Sequence, residues 1–275
     1  MRISLLISTY ERPDALAAVL RSLGRQTLKP FDIVIGDDGS GPATAAAIQA
    51  ARARGLPLRH EWEPHQGYRL ARMRNLCAAA AGGDYLIIVD GDVLLHPDFV
   101  ADHAAAAEKG FFVQGSRALL NEADTRLAIA ADAFWPSFFR PGIGNRKNLL
   151  RWPGLARRLP SRRQGLKGIR TCNFAVWRED YAGVNGFNED FIGWGREDSE
   201  FATRLLNRGV RRRNLHCAGL VCHLHHPARS RNGLAKNDRQ LERAVAGKAV
   251  FCERGLNLHQ GGKPEGAAAP AGGKG

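Results

Sequence analysis

Short, largely apolar runs recur along the first hundred residues, and each ends abruptly in polar or acidic side chains. Ile3 to Tyr10, Phe31 to Ile35 and Tyr85 to Val89 have this form, which suits strands buried on both faces of a sheet. Between them the spacing changes to three and four. Leu16, Val19, Leu20 and Leu23 follow Arg12-Pro13-Asp14, where Pro and an acid mark a helix's first turn. Pro42 to Arg54 reads as an Ala-rich helix, Leu58 to Glu63 as a short strand, and Gly67 to Ala81 as a helix with Arg69, Arg72 and Arg74 exposed. Strands alternating with helices predict βαβ units and a mainly parallel α/β sheet flanked by helices.

Ligands in such sheets sit beyond the carboxyl ends of the strands. Thr9 to Glu11, Asp37-Asp38 and Asp90-Gly91-Asp92 all occupy those ends, so three polar clusters distant in sequence are expected to converge. Two carboxylates around a glycine can approach one hard divalent ion. Asp-Gly is also ordinary turn chemistry, so this segment alone leaves a plain turn open.

Further along, Phe111 to Ser116 and Thr171 to Val176 have strand character, whereas Phe134 to Gly168 lacks a clean period and reads as a long excursion or lid. Gly193-Trp194-Gly195-Arg196-Glu197-Asp198 precedes a helix with Phe201, Ala202, Leu205 and Leu206 on one face and Gly209 as its cap. The two acids fall in its first turn, where simple capping is the alternative to chemistry. Val210 to Arg213 and Leu220 to His226 read as strands, and Asn237 to Arg254 as a helix. The Gly-, Ala- and Lys-rich tail from Gly261 is expected to be disordered.

Charge sharpens this picture. The chain of 275 residues carries a formal net charge of +13, and the segment from Arg140 to Arg170 holds ten Lys or Arg and no acid. Most of the excess is therefore one patch. Phe138, Phe139 and Trp152 could stack on nucleic-acid bases there, but no nucleic-acid motif accompanies them and the acidic strand ends would go unexplained. Leu149, Leu150, Trp152, Leu155 and Leu159 among the arginines suit instead an anionic lipid surface. No apolar run is long enough for a signal segment or a membrane span, which predicts a cytoplasmic protein, peripheral at most on the inner membrane. Cys77, Cys172, Cys217, Cys222 and Cys252 show no CxxC and are expected to be reduced.

Thr9-Tyr10-Glu11-Arg12-Pro13, Asp37-Asp38-Gly39-Ser40, Arg72-Met73-Arg74-Asn75 and Asp90-Gly91-Asp92 together resemble the GT-A glycosyltransferases of family 2. Asn185 to Asn207, with its Gly-Trp-Gly-Arg-Glu-Asp, resembles the carboxyl-terminal half of β-1,4-galactosyltransferases, polypeptide N-acetylgalactosaminyltransferases and bacterial chondroitin polymerases. The resemblance implies a single nucleotide-sugar transferase domain: a donor half over 1–115, a basic excursion over 116–170, an acceptor and catalytic half over 171–255, and a tail over 256–275.

It further implies an inverting, metal-dependent transfer from a UDP-sugar to a glycan or lipid-linked acceptor, in surface polysaccharide or lipopolysaccharide synthesis. Asp37 would pair with uracil, with Thr9, Glu11 and Arg72 around the nucleotide. Asp92 would ligate Mn²⁺ or Mg²⁺ with Asp90 near the ribose and metal, and His223 would be the third ligand with His225 in reserve. Asp198 would be the base with Glu197 as its rival, and Trp194 and Arg196 would meet the acceptor. Arg196 stands where the family has a glycine. A zinc site from Cys217, Cys222, His223 and His225 lacks the usual spacing. A sugar nucleotidyltransferase shares the two-carboxylate logic, but a Gly-rich, Lys-containing phosphate loop is not found near Ser8 to Pro13.

Overall fold

The computed structural model describes residues 1–158, 165–227, 231 and 233–259. Its element order is β1 (Ile3–Thr9), α1 (Pro13–Gly24), β2 (Asp32–Asp37), α2 (Pro42–Ala53), β3 (Leu58–Trp62), α3 (Leu70–Ala80), β4 (Tyr85–Asp90), β5 (Val93–Leu95), α4 (Phe99–Ala106), β6 (Phe111–Gln114), β7 (Ala118–Leu119) and α5 (Glu122–Ala130). α6 (Pro153–Arg158), β8 (Asn173–Trp177), α7 (Arg178–Gly183), α8 (Glu197–Asn207), β9 (Arg211–Asn214), β10 (Val221–His223) and α9 (Leu234–Ala246) complete it.

The main sheet has seven strands in the order β3-β2-β1-β4-β8-β6-β9. β8 runs antiparallel to both of its neighbours, and the other pairs are parallel. Period-two alternation divides the core across it. Leu5, Ile7, Ile33, Ile35, Ile87 and Val89 face α1, α2 and α4, while Leu6, Val34, Leu86 and Ile88 face α3, α7 and α8. The first strands are thus covered on both faces, which is why they read as largely apolar runs.

A second sheet of three short strands, β5-β10-β7, lies beside the first and was not expected from the sequence. Elements of two or three residues are too short to impose a period. Its effect on the site is large. β10 runs antiparallel to β5 with His223 opposite Val93, so the histidine is set down next to Asp92 although the two are far apart in the chain.

Several expectations need correction. Arg74 is buried rather than exposed, at 1% accessibility. The strand expected over Leu220 to His226 stops at His223. α9 runs from Leu234 and ends at Ala246, because Lys248 turns into left-handed backbone at φ 49°. The excursion is not a free lid: Leu149 and Ile143 are buried, and Phe134, Trp135 and Phe138 pack against them over Leu94, Cys222 and Leu224. Arg140 and Arg151 pair with Asp124 and with Asp98 and Asp102. Phe139, Leu150 and Trp152 do stay exposed, Leu155 is half-buried, and Leu159 lies outside the described residues. Residues 256–259, assigned to the tail, form a 3₁₀ turn with Leu256 buried and His259 bonded to Glu189, and 260–275 lie outside the described residues. No helix among the described residues is long and apolar enough to cross a membrane.

Candidate active site

One cleft with two lobes opens at the carboxyl ends of β1, β2 and β4. The first lobe, about 410 Å³, is lined by Thr9, Tyr10, Arg12, Asp38, Asp92 and His223 among others. The second, about 600 Å³, contains Arg74, Glu197 and Asp198. Tyr68, Asp90, Arg117, Trp194 and Arg231 line both lobes, so the two are continuous.

Gly91 permits the approach of β4 to β1 at this point. A Cβ there would lie 2.9 Å from Ser8 O and 3.0 Å from Thr9 Cβ, closer than packed atoms allow. The flanking acids then diverge. Asp90 turns to Arg74, whose Nη2 is 3.2 Å from its Oδ1. Asp92 turns to the small sheet, where its oxygens lie 3.6 Å from His223 Nε2 and 3.5 Å from His226 Nε2.

Asp92, His223 and His226 form a group whose ligand atoms all lie within 4.8 Å of one another. Burial lowers the His223 pKa more than the Asp92 carboxylate raises it, which leaves a neutral imidazole with a lone pair to donate. Arg12 Nη1 donates to Asp92 Oδ2 at 3.1 Å and orients the carboxylate. Asp90 is outside this group. His225, the expected reserve, is exposed, whereas His226 enters because the strand ends at His223 and the alternation of faces ends with it. The group contains no cysteine, and all five thiols are free.

The donor-side expectations divide in the same way. Thr9 lines the lobe, but Asp37 is 1% exposed, with its oxygens bonded to Ser40 N and His60 Nε2. Its neighbour Asp38 faces the lobe: one oxygen pairs with His65 Nδ1 and Oδ1 is buried without a hydrogen-bond partner. Burial raises the Asp38 pKa. Tyr10 stacks on His65 at 4.3 Å between ring centroids, so an aromatic wall stands beside that free oxygen. Glu11 turns away from the lobe to accept from Gly41 N, at a left-handed φ of 47°. Arg72 is held by Glu63 and Glu189 outside both lobes, which buttresses α3.

In the second lobe one cation serves three acids. Arg74 Nη1 is 2.8 Å from Asp198 Oδ1 and 3.6 Å from Glu197 Oε1, while Nη2 holds Asp90. Burial alone would lower the Arg74 pKa, but Asp198, Asp90 and Glu197 more than reverse this and raise it. Asp198 also accepts from the Thr171 hydroxyl and backbone N–H, and its side chain remains 23% exposed. Glu197 is deeper. Burial, and after it the neighbouring Asp198, push its pKa up to about 8. Glu197 therefore favours its protonated form.

Trp194 and Arg196 stand at the mouth. Arg196 occupies left-handed backbone at φ 78°, the conformation that suits a glycine, and its guanidinium pairs with Asp238 on α9. The residues that sequence reasoning passed over are Arg12, Asp38, Arg74 and His226. For Arg74, the closely spaced arginines of α3 were a signal read the wrong way round.

Comparison with known proteins places the chain in a family. The family model described as Glycosyl transferase family 2 matches residues 4–180, and one described as N-terminal domain of galactosyltransferase matches 154–227. Validoxylamine A glucosyltransferase of Streptomyces hygroscopicus subsp. limoneus is 29% identical over 234 residues, 76% of this chain and 48% of the relative. Chondroitin synthase of Pasteurella multocida is 25% identical, over 90% of this chain and 27% of its own length. The chain thus spans about half the length, or less, of these curated relatives. Among solved structures, S. aureus TarS 1-349 in complex with UDP superposes with a TM-score of 0.65 at 15% identity, covering 94% of this chain and 68% of that one. Mannosyltransferase PcManGT from Pyrobaculum calidifontis, in complex with GDP-Man and Mn²⁺, gives 0.59 at 19% identity over 90% and 64%.

Proposed function

The chain belongs to glycosyl transferase family 2, and from that premise we propose that it moves a sugar from a UDP-sugar to a hydroxyl of a glycan or glycolipid, with inversion at the anomeric carbon. One observation carries this reading: a single cleft joins the group Asp92, His223 and His226 to the acid pair Glu197 and Asp198. A nucleotide-sugar donor is supported by the fold shared with TarS bound to UDP and with PcManGT bound to GDP-Man and Mn²⁺.

Asp92, His223 and His226 would hold the metal. One carboxylate with two imidazoles suits Mn²⁺ better than Mg²⁺, which prefers oxygen throughout. When bound, such an ion neutralises charge developing on the departing diphosphate. Asp38, which lines the lobe, would accept the uracil N3–H, a role expected of Asp37, while the Tyr10 ring offers a face for the base.

Asp198 takes the acceptor's hydroxyl proton. The oxygen so released forms its bond to the anomeric carbon as the bond from that carbon to the diphosphate oxygen breaks, and the electron pair leaves with the diphosphate. Attack opposite the leaving group inverts the centre. Thr171 and Arg74 hold Asp198 in place, and Glu197, protonated, does not compete for the proton.

Surface polysaccharide or lipopolysaccharide synthesis is the setting we favour. Exposed Phe139, Leu150 and Trp152 beside Arg146 and Lys147 suit contact with an anionic membrane that presents a lipid-linked acceptor. Incubation with a panel of UDP-sugars tests the reaction: Mn²⁺-dependent release of UDP from one of them is expected, and release unaffected by chelator would refute the metal-assisted reading.

A further inference from the structure

The second lobe holds more positive charge than the donor requires. Arg74 is neutralised by the acids it bridges and Arg196 by Asp238. Arg117 and Arg231 line both lobes and can face a diphosphate. Lys167 and Arg170 differ from all of these. They line the second lobe only, both are exposed, and neither pairs with an acid among the described residues. A UDP-sugar bound with a divalent ion is nearly neutral at its diphosphate, so these two cations have no donor charge to meet.

Their placement is built into the fold. Buried Arg212 donates from Nη1 to Gly165 O at 2.6 Å and to Lys167 O at 2.9 Å. Gln114 on β6, also buried, clamps Arg170 from both sides: its Nε2 donates to Arg170 O at 2.9 Å and its Oε1 accepts from Arg170 N at 3.0 Å. Two interior side chains thus fix the backbone that carries the cations, in the lobe that also holds Asp198 and Trp194. A solvated basic loop needs no such anchoring.

We infer that the acceptor is anionic, carrying a carboxylate or phosphate within reach of the hydroxyl that is glycosylated, and that Lys167 and Arg170 select it. The inference rests on the second lobe being the acceptor site. Trp194 supplies a sugar-stacking face and the cations meet the pendant oxyanion, as guanidinium and ammonium groups do at carboxylate and phosphate sites. Asp198 carries its own negative charge in the same lobe, so an acidic acceptor without these cations would be repelled by the base.

The test is calorimetry on the full chain saturated with UDP and Mn²⁺. Three probes are titrated: an oligogalacturonate, its fully methyl-esterified neutral form, and inorganic polyphosphate of similar length. Charged probes should bind at least about tenfold more tightly than the ester, and a preference between carboxylate and phosphate identifies the source of the oxyanion. K167E/R170E should remove that advantage. The charge-matched control K29E/R54E, at exposed positions outside the cleft, should keep it. Equal affinity for acid and ester, or equal loss in both double variants, overturns the inference and leaves only general attraction to a basic protein. UDP titration beforehand separates the two claims: its failure speaks against the donor site alone.

Discussion

Arg74 Nη1 lies 2.8 Å from Asp198 Oδ1, and the same guanidinium reaches Asp90 on β4, so one buried cation ties the acid of α8 to the end of the strand that presents Asp92. Replacing Arg74 by Met leaves three acids facing one another without a cation, and removing one partner of a buried ionic cluster costs about 3–5 kcal/mol. Urea denaturation should show a loss of that size. Arg74→Lys should recover part of the stability and little of the transfer rate, since a single ammonium cannot bridge both acids. A stability unchanged in Arg74→Met would show that the cluster does not hold the two halves together.

Asp198→Asn should lower the transfer rate by about 10²- to 10⁴-fold with UDP affinity intact, the cost of removing a general base. Glu197→Gln should stay within about tenfold of the parent, because Gln imitates the protonated acid. If the two outcomes are exchanged, so are the roles of the acids.

The raised pKa of Glu197 has a thermodynamic consequence. Its folded value of about 8 exceeds the ordinary 4.5, so its contribution to stability is complete below the ordinary value and is lost as pH rises through about 8. The denaturation midpoint of the parent should therefore decline over that interval, and Glu197→Gln should flatten the decline. Parallel curves for the two proteins would mean that Glu197 ionises normally in the folded chain.

Membrane contact is checked by co-sedimentation with vesicles rich in phosphatidylglycerol. Reversing Arg146 and Lys147 removes ~1 kcal/mol per cation near the surface, so the apparent affinity should fall by about tenfold or more at low salt. Equal sedimentation of parent and variant would assign the exposed Phe139 and Trp152 another purpose.

The parallel half of the sheet was legible because β1, β2 and β4 are buried on both faces, and a largely apolar run with a polar or acidic end is a strong local signal. That β8 is antiparallel was not, since Asn173 to Trp177 would look the same in either direction. The site was legible where it depends on single strand ends, as at Thr9 and Asp92. It was obscured where partners decide: Arg74 has the spacing of a solvated arginine and is buried only because Asp90, Glu197 and Asp198 arrive from two other elements. His226 was missed for a local reason, as the alternation that favoured His225 holds only while the strand continues.

The central claim, that Asp92, His223 and His226 hold a divalent ion for a uridine diphosphate, is tested most directly by calorimetric titration of UDP with Mn²⁺ and with chelator. The parent should bind UDP in Mn²⁺ and lose at least about tenfold in affinity on chelation, and Asp92→Asn and His226→Ala should bind as the chelated parent does while His225→Ala binds as the parent. UDP affinity indifferent to Mn²⁺, or a loss confined to His225→Ala, would contradict the account.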